Sequence, residues 1–324
     1  MTNKDGVSQR GKGLVYEVQH YAIHDGPGIR TLIFFKGCPL RCLWCCNPES
    51  QEARPELSFS KDKCIGCGEC IKACPFKAIT LKDGSMFINR ELCKNCWSLD
   101  SGDFPCCAVC PSKARTTVGR WISVEEILGE VEKDRWLHKK TGGGITISGG
   151  EPLFQPGFLK ELVQGLQEKW FDIAIETSGY GSWEVLYSVL PFTSLVFLDL
   201  KAIDSSTHEL LTGKTNEVIL RNAIKLSQVF NERKFQFDLV YRIPLVQGLT
   251  CKEEVVINIL DFITSKLGGG KVEFMLYHRL GRGKYEPLGK EYSLRGLEPL
   301  SADAREVQEF KQIAKNKGLE VISY

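Results

Sequence analysis

Lys36-Gly-Cys-Pro-Leu-Arg-Cys-Leu-Trp-Cys45 follows an apolar run, Ile29–Phe35, and spaces three cysteines as C-x3-C-x2-C: Cys38, Cys42 and Cys45. A structural zinc site or an ordinary iron–sulfur site takes four protein ligands. Three thiolates on one tight loop hold a four-iron cluster with one iron left open. An open iron is where a small molecule binds and reacts.

The flanking sequence alternates between short apolar runs and amphipathic stretches. Strands are expected at Ile29–Phe35, Gly144–Ser148, Ile173–Thr177, Leu195–Leu200, Phe235–Ile243 and Val272–Tyr277, each rich in β-branched or aromatic residues. Helices are expected near 123–138, 156–169, 182–190, 217–231, 253–266 and 302–317, with a short last strand at Glu320–Ser323. Ser123-Val-Glu-Glu126 reads as a capping box. Six βα units predict an α/β fold: a parallel, curved, incomplete barrel whose chemistry gathers at the C-terminal strand ends. Polar groups stand at those ends. The second strand runs into Gly149-Gly150-Glu151-Pro152, where glycines let backbone approach a ligand closely. The third ends in Glu176-Thr177-Ser178-Gly179 and the fourth in Asp199-Leu-Lys201; the fifth carries Arg242, and the sixth ends at His278. There is no G-x-G-x-x-G after a first strand and no Walker lysine, which argues against a nucleotide phosphate cradle.

Residues 56–117 read differently, as short strands and turns dense in cysteine. Cys64-x2-Cys67-x2-Cys70-x3-Cys74-Pro has the spacing of a bacterial ferredoxin. Cys70, Cys74, Pro75, Lys77, Ala78 and Thr80 recur 36 residues later as Cys106, Cys110, Pro111, Lys113, Ala114 and Thr116, whereas Cys64/Cys67 and Cys93/Cys96 are offset by 29. The second copy therefore carries seven extra residues within Trp97–Pro105. In two-cluster ferredoxins the fourth cysteine of each run serves the other cluster. That rule gives Cys64, Cys67, Cys70 and Cys110 to one [4Fe-4S] cluster and Cys93, Cys96, Cys106 and Cys74 to the other, with Cys107 the alternative to Cys106. Cys46 and Cys251 are expected to be free thiols.

Of the 14 cysteines, all but Cys251 lie between Cys38 and Cys110. The first dozen residues are polar, so no signal peptide is read, and no apolar run reaches the ~18 residues that span a bilayer. A cytoplasmic, oxygen-free setting is expected, where clustered thiols favour metal over disulfides. The net charge of +2 gives no electrostatic case for nucleic acid or an anionic membrane.

With these motifs the chain resembles the radical S-adenosylmethionine (SAM) enzymes, and within them the glycyl-radical-enzyme activating enzymes of the pyruvate formate-lyase activating type. Asp25-Gly-Pro-Gly-Ile-Arg30, Trp44-Cys-Cys-Asn-Pro-Glu49, Gly149-Gly-Glu-Pro152, Asp199-Leu-Lys201 and Tyr277-His-Arg-Leu-Gly-Arg-Gly-Lys-Tyr285 carry the resemblance, from about Val15 to the C-terminus. It implies a partial (β/α)6 radical SAM barrel (15–55 and 118–324), an inserted ferredoxin-like α+β module binding two [4Fe-4S] clusters (56–117), and a flexible N-terminus (1–14).

The resemblance also implies reductive cleavage of SAM at the cluster held by Cys38, Cys42 and Cys45. Hydrogen abstraction from a glycine Cα of a partner enzyme follows, yielding methionine and 5′-deoxyadenosine. The backbone at Gly149 and Gly150, with Glu151 nearby, is expected to receive the SAM amino group. Trp44 is placed beside the adenine, Lys201 and Arg242 on the carboxylate and ribose side, and Asp199 and His278 on the ribose or adenosine. Glu176, Thr177 and Asp199 match the region of a monovalent cation, with glutamate where aspartate stands in the relative. Asp25 is the candidate for meeting the partner's glycine loop. A flavodoxin or ferredoxin is the expected electron donor, and a monomer the expected state. The alternatives are a radical SAM enzyme acting on a small molecule, against which the DGPGIR and YHRLG segments argue, and an electron-transfer ferredoxin, which leaves the three-cysteine loop unexplained.

Overall fold

The computed structural model describes residues 11–82, 85–98 and 104–324. Strands β1 (Lys12–Ala22) and β2 (Arg30–Phe35) lead into the cysteine-rich segment, which supplies β3 (Glu56–Phe59), β4 (Ile79–Lys82), β5 (Ser85–Ile88) and β6 (Arg115–Val118). Then follow β7 (Arg120–Ser123), β8 (Ile145–Gly149), β9 (Ile173–Thr177), β10 (Leu195–Asp199), β11 (Asp238–Leu245), β12 (Lys271–Leu276) and β13 (Glu320–Ile322). The segment carries short helices α1 (Glu69–Ala73), α2 (Arg90–Cys93) and α3 (Pro105–Ala108). The rest are α4 (Val124–Glu132), α5 (Arg135–Thr141), α6 (Pro156–Glu168), α7 (Trp183–Val189), α8 (Ser205–Thr212), α9 (Glu217–Asn231), α10 (Glu253–Lys266) and α11 (Arg305–Asn316).

Nine strands form one sheet in the order β13-β12-β11-β10-β9-β8-β2-β1-β7. From β2 to β13 every pairing is parallel, and each of the six crossovers contains a helix. The sheet is open, because its end strands β13 and β7 do not pair with each other. Strand alternation divides the side chains. Ile145, Ile147, Ile173, Ile175, Val196, Leu198, Tyr241 and Ile243 pack with Leu159, Leu162, Leu226, Val256 and Ile259 of the helices in the main core. Thr146, Ser148, Glu176, Phe197, Asp199, Arg242 and Glu273 alternate with them and occupy the inner face.

Several expectations are corrected. The flexible N-terminus of 1–14 holds neither for Lys12 and Gly13 nor for the fully buried Leu14, all in β1, which pairs antiparallel with β2 and β7; residues 1–10 lie outside the described residues. The helix expected over 123–138 is two helices. Asp134 separates them, its carboxylate accepting from Thr31 Oγ1 (2.6 Å) and bonding His20 Nδ1 (2.5 Å). The capping box at Ser123 and Glu126 forms in both directions (3.2 and 2.8 Å). Helix α8 went unread although Asp204 caps it and Gly213 ends it at φ 76°. Among the described residues no helix is long and apolar enough to cross a membrane.

The cysteine-rich segment leaves and rejoins the barrel through β3 and β6, which pair antiparallel. Its two copies share backbone geometry. Lys77 and Lys113 both adopt left-handed φ (50° and 51°), and their N–H groups donate to Cys74 and Cys110 carbonyls at 3.2 Å each. The carbonyls of Ala78 and Ala114 each accept at 2.8 Å from Asn89 and Ser60. Residues 99–103, most of the extra length of the second copy, lie outside the described residues.

Gln155 binds the first two strands together. Its Nε2 donates to the carbonyls of Leu14 (2.8 Å) and Lys36 (3.0 Å), and its Oε1 accepts from Leu14 N–H (2.7 Å). Gln155→Met would leave those buried groups unpaired, with an expected loss of about 3 kcal/mol in a urea unfolding curve of the cluster-free protein. A midpoint unchanged from wild type would contradict the role.

Candidate active site

The three-cysteine loop begins where β2 ends, and backbone contacts on three sides hold it. Gly37 N–H donates to Ser50 O (2.6 Å) and Cys38 N–H to Gln51 O (3.2 Å), folding the loop onto the turn that follows it. Arg41 and Leu43 N–H donate to Thr212 and Leu211 O at the end of α8 (2.7 and 3.1 Å). Gly150 N–H donates to Phe35 O (2.8 Å) and Glu151 N–H to Gly37 O (3.0 Å), joining the end of β8 to the end of β2. Only glycine fits there. A Cβ on Gly149, at φ 103°, would lie 2.5 Å from Phe35 N and O, and one on Gly150 2.3 Å from Gly37 O.

The Tyr277–Tyr285 motif closes over the same loop. Tyr285 Oη donates to Cys45 O (2.8 Å), and Lys284 Nζ donates to Asn47 Oδ1 (3.2 Å). Gly281 lies so close to Cys46 that an added Cβ would stand 2.5 Å from its Cα. Trp44 packs with Tyr277, Tyr285 and Tyr292 in one aromatic cluster. His278 is exposed at the rim beyond β12.

Burial pushes the thiols of Cys38, Cys42 and Cys45 upward, Cys42 to about 12, while the Lys201 ammonium pulls Cys42 and Cys45 back. Burial works against the charge of Lys201, yet Asp199, bonded at 2.6 Å, and the Cys42 and Cys38 thiols outweigh it and hold Lys201 above its ordinary value. A buried cation thus lies within electrostatic reach of all three thiols, which suits an anionic group ligated by thiolates. Among the described residues no three His, Cys, Asp or Glu side chains converge as a single-ion site. A cubane asks for something else, since each thiolate binds a different iron.

Three of the expected site side chains are engaged by protein partners. The Glu151 carboxylate, 1% exposed, accepts from Thr177 Oγ1 (2.5 Å), Ser178 N–H (2.8 Å), Ser178 Oγ (2.5 Å) and Leu153 N–H (3.2 Å). It ties the β8 loop to the end of β9 and presents no free acceptor for an amino group. Thr177 turns away from Glu176, as strand alternation requires, and its hydroxyl is used by Glu151 and by Gly179 N–H (2.9 Å). Arg242 donates to Glu273 Oε2 (2.8 Å) and to Glu176, and stacks 3.6 Å from the centre of the Phe197 ring. Its guanidinium thus serves two protein carboxylates.

Asp25 meets this interior network. Burial first, then the Glu176 carboxylate, push its carboxyl up to about 6, although Arg242 pulls the other way. Sequence reasoning missed Glu273, buried on the inner face of β12; its signal was the one carboxylate in the apolar run Val272–Tyr277. It also missed the C-terminus, where Tyr324 N–H donates to Glu273 Oε1 (3.1 Å) and the Tyr324 ring packs on Phe197.

Two predictions follow from this geometry. Gly150→Ala forces the two strand ends apart, and reconstituted protein is expected to lose iron from the three-cysteine loop while keeping that of the cysteine-rich segment. Because the folded-state pKa of Asp25 lies above its unfolded value, ionising it costs stability, fully so above pH ~6 and not at all below pH ~4. Asp25→Asn is therefore expected to raise the unfolding temperature at pH 7.5, with the gain fading at pH 4; a pH-independent difference would contradict this.

The radical SAM superfamily family model matches residues 99–260, and that for a 4Fe-4S binding domain matches residues 57–80, which hold Cys64, Cys67, Cys70 and Cys74. An isethionate sulfite-lyase activating enzyme from Oleidesulfovibrio alaskensis is 39% identical over 86% of this chain and 88% of its own length. An indoleacetate decarboxylase activating enzyme from Tractidigestivibacter scatoligenes is 34% identical, covering 93% of each chain. A choline trimethylamine-lyase activating enzyme from Oleidesulfovibrio alaskensis is 36% identical over 92% of this chain and 94% of its own.

Proposed function

The chain belongs to the radical SAM activating enzymes of glycyl radical enzymes, and from that premise we propose how its residues divide the work. It is an oxidoreductase that binds a [4Fe-4S] cluster and SAM and installs a radical on a glycine of a partner enzyme. When bound, the two cofactors supply reductive C–S cleavage, giving methionine and, once hydrogen has left the partner's glycine Cα, 5′-deoxyadenosine. The protein positions them and keeps other reactants away.

The observation that carries this assignment is the buried ammonium of Lys201 beside the thiols of Cys38, Cys42 and Cys45. These three thiolates hold the catalytic cluster, and Lys201 offsets their negative charge. The SAM ammonium is a donor, so it is received by backbone carbonyl oxygens at Gly149 and Gly150, which Glu151 braces from behind. Trp44 flanks the adenine, and Asp199 and His278 border the adenosine. Glu176, with one oxygen on Arg242 and the other accepting from Ser148 Oγ, borders the place of a monovalent cation. Arg242 sets the position of Glu176, and its charge partly offsets the repulsion between Glu176 and Asp25. Asp25 faces the partner's glycine loop. A carboxyl held at an energetic cost beside a mouth is what a binding role would retain.

The cysteine-rich insert holds two further [4Fe-4S] clusters. The thiols of Cys74, Cys93, Cys96 and Cys106 lie within electrostatic reach of one another, which supports their grouping; Cys70 feels Cys106 of that group first and then Cys64 of its own. A flavodoxin or ferredoxin delivers electrons through these clusters to the monomeric activator. A cleft of about 700 Å³ beside Cys64 supports that route. Lys61, Lys82, Arg90 and Lys290 line it, with Glu286 the one carboxylate among the described lining residues, so it favours an acidic redox protein. Relatives named for C–S, C–N and decarboxylation chemistry match at similar identity. The partner's reaction is therefore a property of the partner, reached through the same hydrogen abstraction.

Cys42→Ala is expected to abolish 5′-deoxyadenosine formation from SAM under dithionite; product at wild-type rates would remove the loop from the mechanism. Cys67→Ala is expected to lose iron from the insert yet keep SAM cleavage with dithionite. A glycine-centred electron paramagnetic resonance doublet, appearing only when a partner enzyme is added, tests the activity itself.

A further inference from the structure

Arg115 is a buried cation whose guanidinium is left partly unpaired among the described residues. It is 2% exposed, and its Nε and one terminal nitrogen, Nη2, find no hydrogen-bond partner among the described residues. Its one contact of note is the Phe59 ring, 4.2 Å away. Unpaired buried charge is costly, so a fold keeps it only where something offsets it.

The internal repeat sharpens the anomaly. Arg115 follows Ala114 as Ile79 follows Ala78, in two copies whose backbones match at Lys77 and Lys113. Ile79 is also 2% exposed and lies in the core of the insert. The second copy thus puts a guanidinium where the first puts an aliphatic side chain. Around it stand cysteines of both sets. The backbone N–H of Arg115 bonds the Cys110 thiol, and its charge acts on Cys70, Cys93 and Cys106.

We propose that Arg115 is a positioning residue for the two insert clusters, its free N–H groups donating to cluster sulfur and its charge favouring the reduced state of both. Hydrogen bonds to sulfur and local charge set the potential of such clusters. A fixed cation between two sites raises both potentials over the isoleucine alternative, keeping the one-electron [4Fe-4S]2+/1+ couples within reach of the donor. The inference rests on the two-cluster reading of the insert.

The test uses the full chain, anaerobically reconstituted, with iron and sulfide counted. Arg115→Ile, which copies the first repeat, is titrated with dithionite while the SAM-insensitive paramagnetic signals are followed. The expected result is at least a tenfold fall in the reduced-to-oxidised ratio at fixed potential, equivalent to 59 mV for one electron. Arg115→Lys is expected to recover part of it. In the cluster-free protein the same Arg115→Ile is expected to raise the unfolding temperature, because an unpaired charge is gone. A shift below twofold in fully loaded protein would overturn the proposal, as would a cluster-free variant less stable than wild type. If Arg115→Ile takes up no iron in the insert, Arg115→Lys decides: restored uptake supports the proposal and continued absence overturns it. A wild-type insert without two clusters would instead bring down the reading beneath it, a failure visible in the iron count before any variant is made.

Discussion

Two backbone hydrogen bonds, from Gly150 to Phe35 and from Glu151 to Gly37, bring the ends of β8 and β2 into contact, and the cysteine loop hangs from that contact. The approach is too close for any side chain at positions 149 and 150. Glu151 secures it from the other side by collecting four donors from β9 and its own turn. The loop cannot then drift relative to the next strands, so Asp199 and Lys201 of the fourth parallel strand reach the same small volume as the thiols. The segment 277–285 adds a clamp from the far side of the sheet, through Tyr285 and Gly281. The geometry around the thiols is therefore set by backbone-to-backbone contact, braced by the side chains of Glu151 and Tyr285. That is the stiffest positioning a protein offers for a reaction that depends on which bond faces the cluster.

Inside the sheet the governing term is buried charge. Lys201 is paired with Asp199, and Arg242 is shared between Glu176 and Glu273. Each cation is screened from solvent, and each would be costly alone. Arg242 gains further from the Phe197 face. Asp25 is the group left over: a carboxyl next to another carboxylate, held mainly by its place in the Asp25–Arg30 loop, where Thr146 Oγ1 donates to its backbone carbonyl. The DGPG glycines make that loop possible, since Gly28 at φ 67° lies against the backbone of 141–143 with no room for a Cβ.

The insert obeys the same logic on a smaller scale. Its core combines cysteines with Leu57, Ala78, Ile79 and Phe104, and Ile71, Phe76, Met86 and Ile88 pack against it. Arg90 ties it to the barrel side by donating to Leu57 O and Pro287 O. The matching backbone at Lys77 and Lys113 shows that the repeat in the sequence is also a repeat in space, and among the positions where the copies differ, Ile79 against Arg115 exchanges a buried aliphatic side chain for a buried cation.

Much of this was readable from the chain. Apolar runs of four to eight residues located the parallel strands to within about three residues, because a strand buried on both faces leaves an unbroken hydrophobic signal. Cysteine spacing located the thiol sites, because ligand geometry on a tight loop is local. β1 escaped because it alternates polar and apolar residues and depends on β2 and β7 for its pairing. Which charges neutralise one another also escaped. Arg242 and Glu273 lie 31 residues apart, and Glu151 and Ser178 lie 27 apart. Sequence by itself determined the family, the strand frame and the donor atoms offered to metal. Only the tertiary structure decided which protein groups Glu151, Thr177 and Arg242 pair with, and that Lys201 and Arg115 stand near thiols. Hydrophobic period and ligand spacing are written within a few residues of chain, whereas the pairing of a buried charge depends on which strands lie side by side.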